Sequence, residues 1–139
     1  MKKIWSALLL ALAISSATSA GEPFRGTFEG ADYKIKLVVD LYEESINVPG
    51  MGMFGPMNGY IAGGDLYCTW YVSSIQKADE KDAVVHFSNE LGSETQEVEL
   101  TLKDDSLLTL RQKGSSPFKK VVGKKLQKLP SELVFKRVK

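Results

Sequence analysis

Only a few residues of this chain have the type and spacing that catalysis requires. His86 is the single histidine and Cys68 is the single cysteine. No GxSxG segment is present, and no sequence pattern joins His86 to a serine or cysteine nucleophile. A working nucleophile needs a base beside it and a third group that orients the base. The carboxylates are concentrated in polar turns such as Glu43-Glu44 and Asp104-Asp105, where they suit solvation better than acid catalysis. We therefore predict a protein that is not an enzyme and has no catalytic residue.

Three methionines raise a metal-binding hypothesis, because Met51, Met53 and Met57 fall within seven residues. Thioether sulfur suits the soft ion Cu(I), and Cys68 or His86 could complete such a site. The alternative is that the methionines fill an apolar loop, which is favoured because repeated Met/His motifs are missing from the sequence. No aspartate-rich calcium loop is present either. We expect no cofactor and no bound metal, and keep a periplasmic Cu(I) binder as the third functional hypothesis.

The same methionines belong to an apolar, glycine-rich loop that is a stronger candidate for ligand binding. Its apolar side chains are too numerous to stay together in water, so they either cap the fold or form the lip of a pocket. Capping is the favoured alternative. The run Leu66–Val72 follows, and its alternation predicts a strand with Trp70 buried on the same face as Cys68. The candidate ligand-binding residues are Met51, Met53, Phe54, Met57, Tyr60 and Trp70.

The outer surface supplies a second set of candidates, based on aromatic residues and on charge. Tyr67 and Tyr71 fall on the opposite face from Trp70 and would present flat rings to a sugar or to a partner protein. From residue 21 to 110 the net charge is −10, and from residue 111 to 139 it is +9. We predict that the basic strand pairs with acidic strands and that their charges cancel, because Glu97 and Glu99 point outward one hairpin earlier. An exposed, anion-binding patch is the alternative. The candidate partner-binding residues are Tyr67, Tyr71, Lys119, Lys120, Lys124 and Lys125.

The N-terminal segment predicts where the protein works. Lys2 and Lys3 precede an apolar run without charge, and small residues end at Ala20. That order is typical of a cleaved secretory signal peptide, so we expect a signal peptide over residues 1–20 and a secreted or periplasmic protein. The remaining 21–139 has the size of one domain, and its single cysteine excludes an internal disulfide. No later segment is apolar enough to predict a membrane span.

The rest of the sequence predicts short strands joined by turns. Eight or nine segments of alternating apolar and polar residues recur about every ten residues, and no helical pattern follows the signal peptide. Gly59 to Ala62 is one short strand, Ile75 marks a bulge or a strand end, and Gly123 to Pro130 is predicted to be an irregular basic segment. The pattern favours an all-β, antiparallel up-and-down barrel in which the last strand closes against the first, with a β-sandwich as the alternative.

The opening FRGTFEG, the glycine turn before a strong strand and the finish LVFKR resemble small secreted calycin or lipocalin-like barrels of gut Bacteroidetes-type bacteria. The resemblance covers the whole mature chain in the spacing of its predicted strands and turns. The tryptophan usual in the lipocalin opening is missing, since Thr27 and Phe28 follow Gly26. The resemblance implies a barrel with one open end, a shape that commonly binds apolar ligands, and it transfers no binding residue.

These observations lead to one main functional expectation and two others. The first is an exported binding protein that holds a small apolar ligand at the barrel mouth. The second is an inhibitor or envelope accessory protein that binds a partner protein through its outer surface. The third is the Cu(I) binder. In each case we expect a monomer without a nucleic-acid partner.

Overall fold

The computed structural model describes residues 22–138. The predicted signal peptide lies outside the described residues. A short 3₁₀ turn spans Gly52–Phe54, and among residues 22–138 no helix is long and apolar enough to cross a membrane. The strands are β1 (Arg25–Gly30), β2 (Lys36–Asp40), β3 (Gly59–Ala62), β4 (Trp70–Ala78), β5 (Asp82–Asn89), β6 (Thr95–Asp104), β7 (Leu107–Gln112), β8 (Lys119–Val122), β9 (Lys125–Lys128) and β10 (Glu132–Arg137).

Eight of these strands form a closed antiparallel barrel in the order β1-β10-β7-β6-β5-β4-β3-β2. Neighbours in the barrel are mostly neighbours in sequence, so the predicted up-and-down topology is confirmed. The first and last strands pair directly, as the sequence predicted. In the observed register, Phe28 lies opposite Arg137. Closure removes the exposed strand edges that would otherwise favour aggregation. β8 and β9 lie outside the barrel as a separate two-stranded sheet.

The barrel interior is filled by the inward-facing side chains of its strands. Trp70 is only 3% exposed, so the prediction that it faces the core is confirmed. The largest side chains with no exposed surface or almost none are those of five phenylalanines: Phe24, Phe28, Phe87, Phe118 and Phe135. Aliphatic residues from every barrel strand except β1 complete the same cluster. Burying these rings is the main favourable term in the stability of a chain that has no disulfide.

The start of β4 differs from the sequence prediction, whereas the predicted irregularity at Ile75 is confirmed. β4 begins at Trp70 rather than Leu66, because Cys68 has a left-handed backbone conformation with φ of 69° that a strand cannot accommodate. Leu66 and Cys68 still pack on the core from the preceding connection. Ile75 does lie at a bulge, since the register between β4 and β5 shifts between Ile75 and Lys77.

A buried carboxylate fixes the end of β2. Asp40 accepts hydrogen bonds from Ser45 Oγ at 2.6 Å and from the backbone N–H groups of Tyr42 and Glu43 at 3.1 Å. Arg25 Nε lies 3.3 Å from the second carboxylate oxygen of Asp40. Burial raises the pKa of Asp40, but these hydrogen bonds and the Arg25 charge outweigh it, so the pKa lies below its ordinary value. The charged form of Asp40 therefore stabilises the fold.

We expect Asp40→Asn to lower the free energy of unfolding at neutral pH by about 1–3 kcal/mol, the usual cost of removing hydrogen bonds to a charged group. A depressed folded-state pKa stabilises the protein above the unfolded-state pKa of about 3.9, and that contribution is lost as pH falls through the folded-state pKa. The difference between wild type and Asp40→Asn should therefore shrink in acid. Urea denaturation at pH 7 and at several values below 4 measures it, and a difference that is constant with pH would contradict this role.

Candidate functional site

The barrel has two ends that carry different loops. Because neighbouring strands run in opposite directions, the connections β1–β2, β3–β4, β5–β6 and β7–β10 share one end, which we call the hairpin end. The connections β2–β3, β4–β5 and β6–β7 share the other, which we call the loop end. The apolar loop between β2 and β3 thus lies at the opposite end from β8 and β9. The two sets of candidate residues are therefore separate surfaces.

The methionine loop, residues 49–58, packs on the outside of the barrel. Met51 and Tyr60 are buried with Val48 in a small cluster that also includes Met57 and Tyr71. The cluster covers outward-facing side chains of β2, β3 and β4, whereas their inward neighbours belong to the main core. The loop therefore forms a second, outer core on the barrel wall and does not line the mouth of the barrel.

The candidate ligand-binding residues accordingly divide among three environments. Trp70 lies inside the barrel, whereas Met51, Met57 and Tyr60 lie in the outer cluster. Met53 and Phe54, on the 3₁₀ turn, are 87% and 63% exposed. No single pocket among the described residues contains all six. Met51 and Met53 likewise face different surroundings, and within residues 22–138 no three His, Cys, Asp or Glu side chains are grouped to hold a metal ion.

The hairpin end carries the more distinctive surface. β8 and β9 form a two-stranded ribbon joined by the two-residue turn Gly123-Lys124, and we call residues 119–128 the lysine hairpin. The φ of 63° at Gly123 is the conformation that the first central residue of a type II′ turn needs. The ribbon is part of the β7–β10 connection, so it lies at the rim of the barrel.

The prediction of an irregular basic segment from Gly123 to Pro130 is therefore wrong for most of its length. A glycine turn between alternating residues specifies a hairpin there.

Two buried residues hold the base of the lysine hairpin in the barrel. Phe118 contacts Trp70 edge-to-face with ring centroids 4.9 Å apart, and contacts Phe87 in the same way at 5.9 Å. Leu129 is also buried, and its N–H donates to the Phe118 carbonyl at 2.9 Å. Gln112 Oε1 accepts from the Phe118 N–H at 2.6 Å. An isolated two-stranded hairpin is marginal in water, and these contacts supply the stability that the ribbon lacks on its own.

The side chains of the lysine hairpin are basic at many positions and apolar at its tip. Within residues 22–138, no carboxylate lies within 4.0 Å of its lysine ammonium groups, which belong to Lys119, Lys120, Lys124, Lys125 and Lys128. Val121, Val122 and Leu126 are each about half exposed, at 50%, 49% and 47%. The surface therefore combines uncompensated positive charge with apolar area.

The prediction that the basic segment pairs with acidic strands is wrong for these lysines. Glu97 lies 3.2 Å from His86 Nε2, and Glu99 lies 4.0 Å from Arg111. The acidic residues that the sequence offered as partners are therefore engaged on the barrel wall, whereas the hairpin leaves the barrel after β7. Among the hairpin lysines, Lys120 instead contacts an aromatic ring, because its Nζ lies 5.0 Å from the centre of the Tyr33 ring.

The two candidate tyrosines have different places. Tyr67 is exposed and lies against the lysine hairpin, because its N–H donates to the Lys119 carbonyl at 2.8 Å. Tyr71 packs in the outer cluster with its cross-strand neighbour Tyr60. The structure thus brings Tyr67 together with the candidate lysines and separates Tyr71 from them. Lys128 belongs to the same basic segment that the sequence indicated. The members that the sequence analysis missed are Val121, Val122 and Leu126, which the hairpin pattern around Gly123 could have indicated.

His86 and Cys68 lie on opposite sides of the barrel wall. His86 Nε2 is 3.2 Å from both Gln76 Nε2 and Glu97 Oε1 on the outer face. Cys68 packs against the main core, and burial, with a smaller contribution from Glu90, raises the pKa of its thiol. A raised pKa lowers the thiolate fraction at neutral pH and so lowers nucleophilicity. The described residues therefore do not bring these two groups together as a nucleophile and base.

Comparison of the chain with protein-family models, with curated proteins and with solved structures finds no match. The barrel, its outer cluster and its lysine hairpin are therefore the basis for the function proposed below.

Proposed function

We propose that this protein is an exported, non-enzymatic, calycin-like barrel that binds an anionic partner on its outer surface, at the lysine hairpin. The observation that supports this most strongly is the combination, in one hairpin, of five lysines without a nearby carboxylate and three half-exposed apolar side chains; three of the lysines, Lys124, Lys125 and Lys128, are exposed. Exposed apolar area with a polar rim is typical of interaction sites on soluble proteins. The N-terminal sequence supports export, as argued above from residues 1–20.

The packing at the base of the hairpin supports the same assignment. A ribbon that only connected β7 to β10 could be much shorter, since the two strands are adjacent in the barrel. The chain instead buries Phe118 and Leu129 to hold the ribbon at the rim. Adjacent lysines repel one another, and a folded protein that keeps them together loses some stability, which an anionic partner would restore.

The kinship to calycin-like barrels forms part of this proposal. It is supported by the contact between the two segments that carry the resemblance, since FRGTFEG and LVFKR pair as β1 and β10. Arg137 lies over the Phe28 ring at 4.6 Å and joins the strand ends there. The expectation that such barrels hold a ligand inside has less support, because the five phenylalanines fill the interior.

We expect wild-type protein to remain on heparin resin above about 0.15 M salt, where screening already limits the reach of exposed charges to about 8 Å. The variant Lys124→Gln/Lys125→Gln/Lys128→Gln should elute at clearly lower salt, because it removes three charges from one exposed surface. The matched control is Lys36→Gln/Lys81→Gln/Lys103→Gln, which has the same net charge and alters exposed lysines elsewhere. Equal elution of the two triple variants, or loss of wild type below 0.15 M salt, would contradict the proposal.

A ligand inside the barrel is the second candidate, and one observation favours it. Trp70 Nε1 and Gln96 Oε1 are buried and have no hydrogen-bond partner among the described residues. A polar group of a ligand could satisfy them, because buried polar atoms are normally paired. Trp70 is the only tryptophan after residue 20. Quenching of its fluorescence at one equivalent of the neutral apolar dye N-phenyl-1-naphthylamine would support this candidate.

A further inference from the structure

The outer edge of β9 is the feature of the lysine hairpin that indicates what kind of partner it fits. β8 has a neighbour on each side: β9 on one, and residues 65–67 on the other. The second contact includes the bond from the Tyr67 N–H to the Lys119 carbonyl at 2.8 Å and that from the Val121 N–H to the Asp65 carbonyl at 3.2 Å. β9 pairs only with β8 within residues 22–138. One edge of the ribbon therefore remains open there.

The register determines which backbone groups face that edge. Hydrogen-bonded and non-hydrogen-bonded pairs alternate along an antiparallel ladder. Leu129 bonds to Phe118 within the hairpin, and the pair Val122–Lys125 flanks the two-residue turn. The odd-numbered residues of β9 therefore bond inward to β8. The N–H and C=O groups of Leu126 and Lys128 must then point to the open edge, where an added strand would meet them.

The charges at this edge indicate which kind of partner could bind to it. An antiparallel pairing with the β9 strand of a second copy would place lysine next to lysine, which is unfavourable. Insertion into a lipid bilayer would strip water from the open N–H and C=O groups without replacing their hydrogen bonds. An extended acidic peptide avoids both problems. Its backbone forms hydrogen bonds with the open edge, and its carboxylates face Lys124, Lys125 and Lys128. Lysines on an edge strand oppose self-association and leave acidic strands acceptable.

We propose that the open edge of β9 binds an extended acidic segment of a partner protein by strand addition, which rests on the proposed function of the lysine hairpin. Backbone hydrogen bonds to Leu126 and Lys128 hold the added strand, as in other cases of recognition by β-augmentation. The lysines supply the preference for acidic side chains. Leu126 and Val121, opposite one another on one face of the ribbon, contact an apolar side chain of the added strand.

The first test uses the fluorescently labelled peptide Glu-Glu-Glu-Val-Glu-Glu, acetylated and amidated at its ends, because its one valine can face Leu126 while its glutamates lie on both faces of the added strand. Its control is the same sequence with N-methyl groups on alternate residues, which keeps the charge and removes the donors of one edge. We expect the N-methylated peptide to bind at least about tenfold more weakly in fluorescence anisotropy, a loss of about 1.4 kcal/mol. The parent peptide should also slow hydrogen exchange at the amides of Leu126 and Lys128 in NMR spectra.

The second test changes the protein. Leu126→Pro removes an N–H that faces the open edge and keeps every lysine, and proline is tolerated at such edge positions. We expect it to weaken binding of the parent peptide about tenfold and to shift elution from heparin far less than the triple lysine variant does, because every lysine remains, whereas Leu126→Ala should keep the peptide within about threefold of wild type. The heparin result separates loss of the edge from loss of the charged surface.

The outcomes are distinct for the two proposals. If the N-methylated and parent peptides bind equally, charge alone explains the binding, and strand addition is overturned while the proposed function stands. Strand addition of a peptide is also overturned if vesicles with anionic phospholipid, but not the peptide, protect the amides of Leu126 and Lys128 from exchange. Formation of a dimer through β9 would overturn it as well, and in both cases the proposed function stands. If heparin elution does not depend on the hairpin lysines, the proposed function itself is overturned.

Discussion

Replacing Phe118 with alanine should lower the free energy of unfolding by about 3–5 kcal/mol, the range for removing a large buried aromatic side chain. The Phe118 ring has no exposed surface and lies edge-on to both Trp70 and Phe87. Such aromatic pairs contribute about 0.5–1.5 kcal/mol beyond the area that they bury. The substitution would leave a cavity between rings held by three different segments of the chain. Urea denaturation followed by the fluorescence of Trp70 measures the loss.

Val121→Ala is the matched control for Phe118→Ala, because Val121 belongs to the same ribbon and is half exposed. It should change the free energy of unfolding by no more than about 0.5 kcal/mol. The double variant Phe118→Ala/Trp70→Ala should cost less than the sum of the two single variants, because each removes the same ring contact. An unfolding midpoint for Phe118→Ala equal to that of wild type would show that the lysine hairpin is not anchored in the barrel.

Arg137→Ala should have the second largest effect, a loss of about 2–4 kcal/mol. Its guanidinium donates to the carbonyls of Asp105 at 2.6 Å, Arg25 at 2.8 Å and Pro23 at 2.7 Å. Each hydrogen bond to a charged group contributes about 1.5–3 kcal/mol. Two of these three bonds are exposed, so water replaces part of the loss and the total stays below the sum. Pro23 and Arg25 lie at the start of β1, and Asp105 lies in the β6–β7 turn, so the Arg137 side chain joins β10 to two other segments and stabilises the closure of β10 on β1.

Arg137→Lys is the informative companion of Arg137→Ala. Lysine keeps the charge, but a single ammonium group cannot reach three carbonyls with the fork geometry of a guanidinium. We expect it to recover less than half of the lost stability. Lys136→Ala, at the exposed neighbouring position, should leave the thermal midpoint unchanged. If Arg137→Lys were as stable as wild type, charge rather than the three directed hydrogen bonds would explain the contribution.

Gly26 shows how closely the barrel is built around Arg137. A Cβ atom at Gly26 would lie 2.6 Å from Arg137 Nη1, and the φ of 146° there is one that side chains rarely adopt. The sequence shows a glycine in FRGTFEG and an arginine in LVFKR, 111 residues apart. Only the closed barrel explains why both residue types are needed.

Much of the architecture was predictable because it depends on local pattern. Alternating apolar residues with short turns specify antiparallel strands, and closure follows when an all-strand chain must protect its edges. Burial of Trp70 followed from the face that it shares with Val72, and the bulge at Ile75 followed from a break in the alternation. The position of Cys68 was less predictable, because a left-handed residue can keep its side chain on the core and still end a strand.

The candidate surface was predictable only in part. The sequence identified the lysines and Tyr67, yet it could not tell whether the lysines meet the acidic residues of β6 or stand apart from them. That depends on which strands are neighbours in space, and β8 and β9 leave the barrel between two strands that are themselves adjacent. The methionine loop presented the same difficulty, since its apolar residues could have covered the mouth or the wall.

The sequence by itself determined the barrel strands, the closed all-β fold and the inward face of those strands, since periodicity and turn residues encode them locally. The tertiary structure decided which charges have partners, where the methionine loop packs and which edge stays open. Those features depend on distances between residues far apart in the chain, such as Phe118 against Trp70 and Arg137 against Pro23. Local pattern carries no information about such distances until the barrel closes, and the proposed binding surface exists because of them.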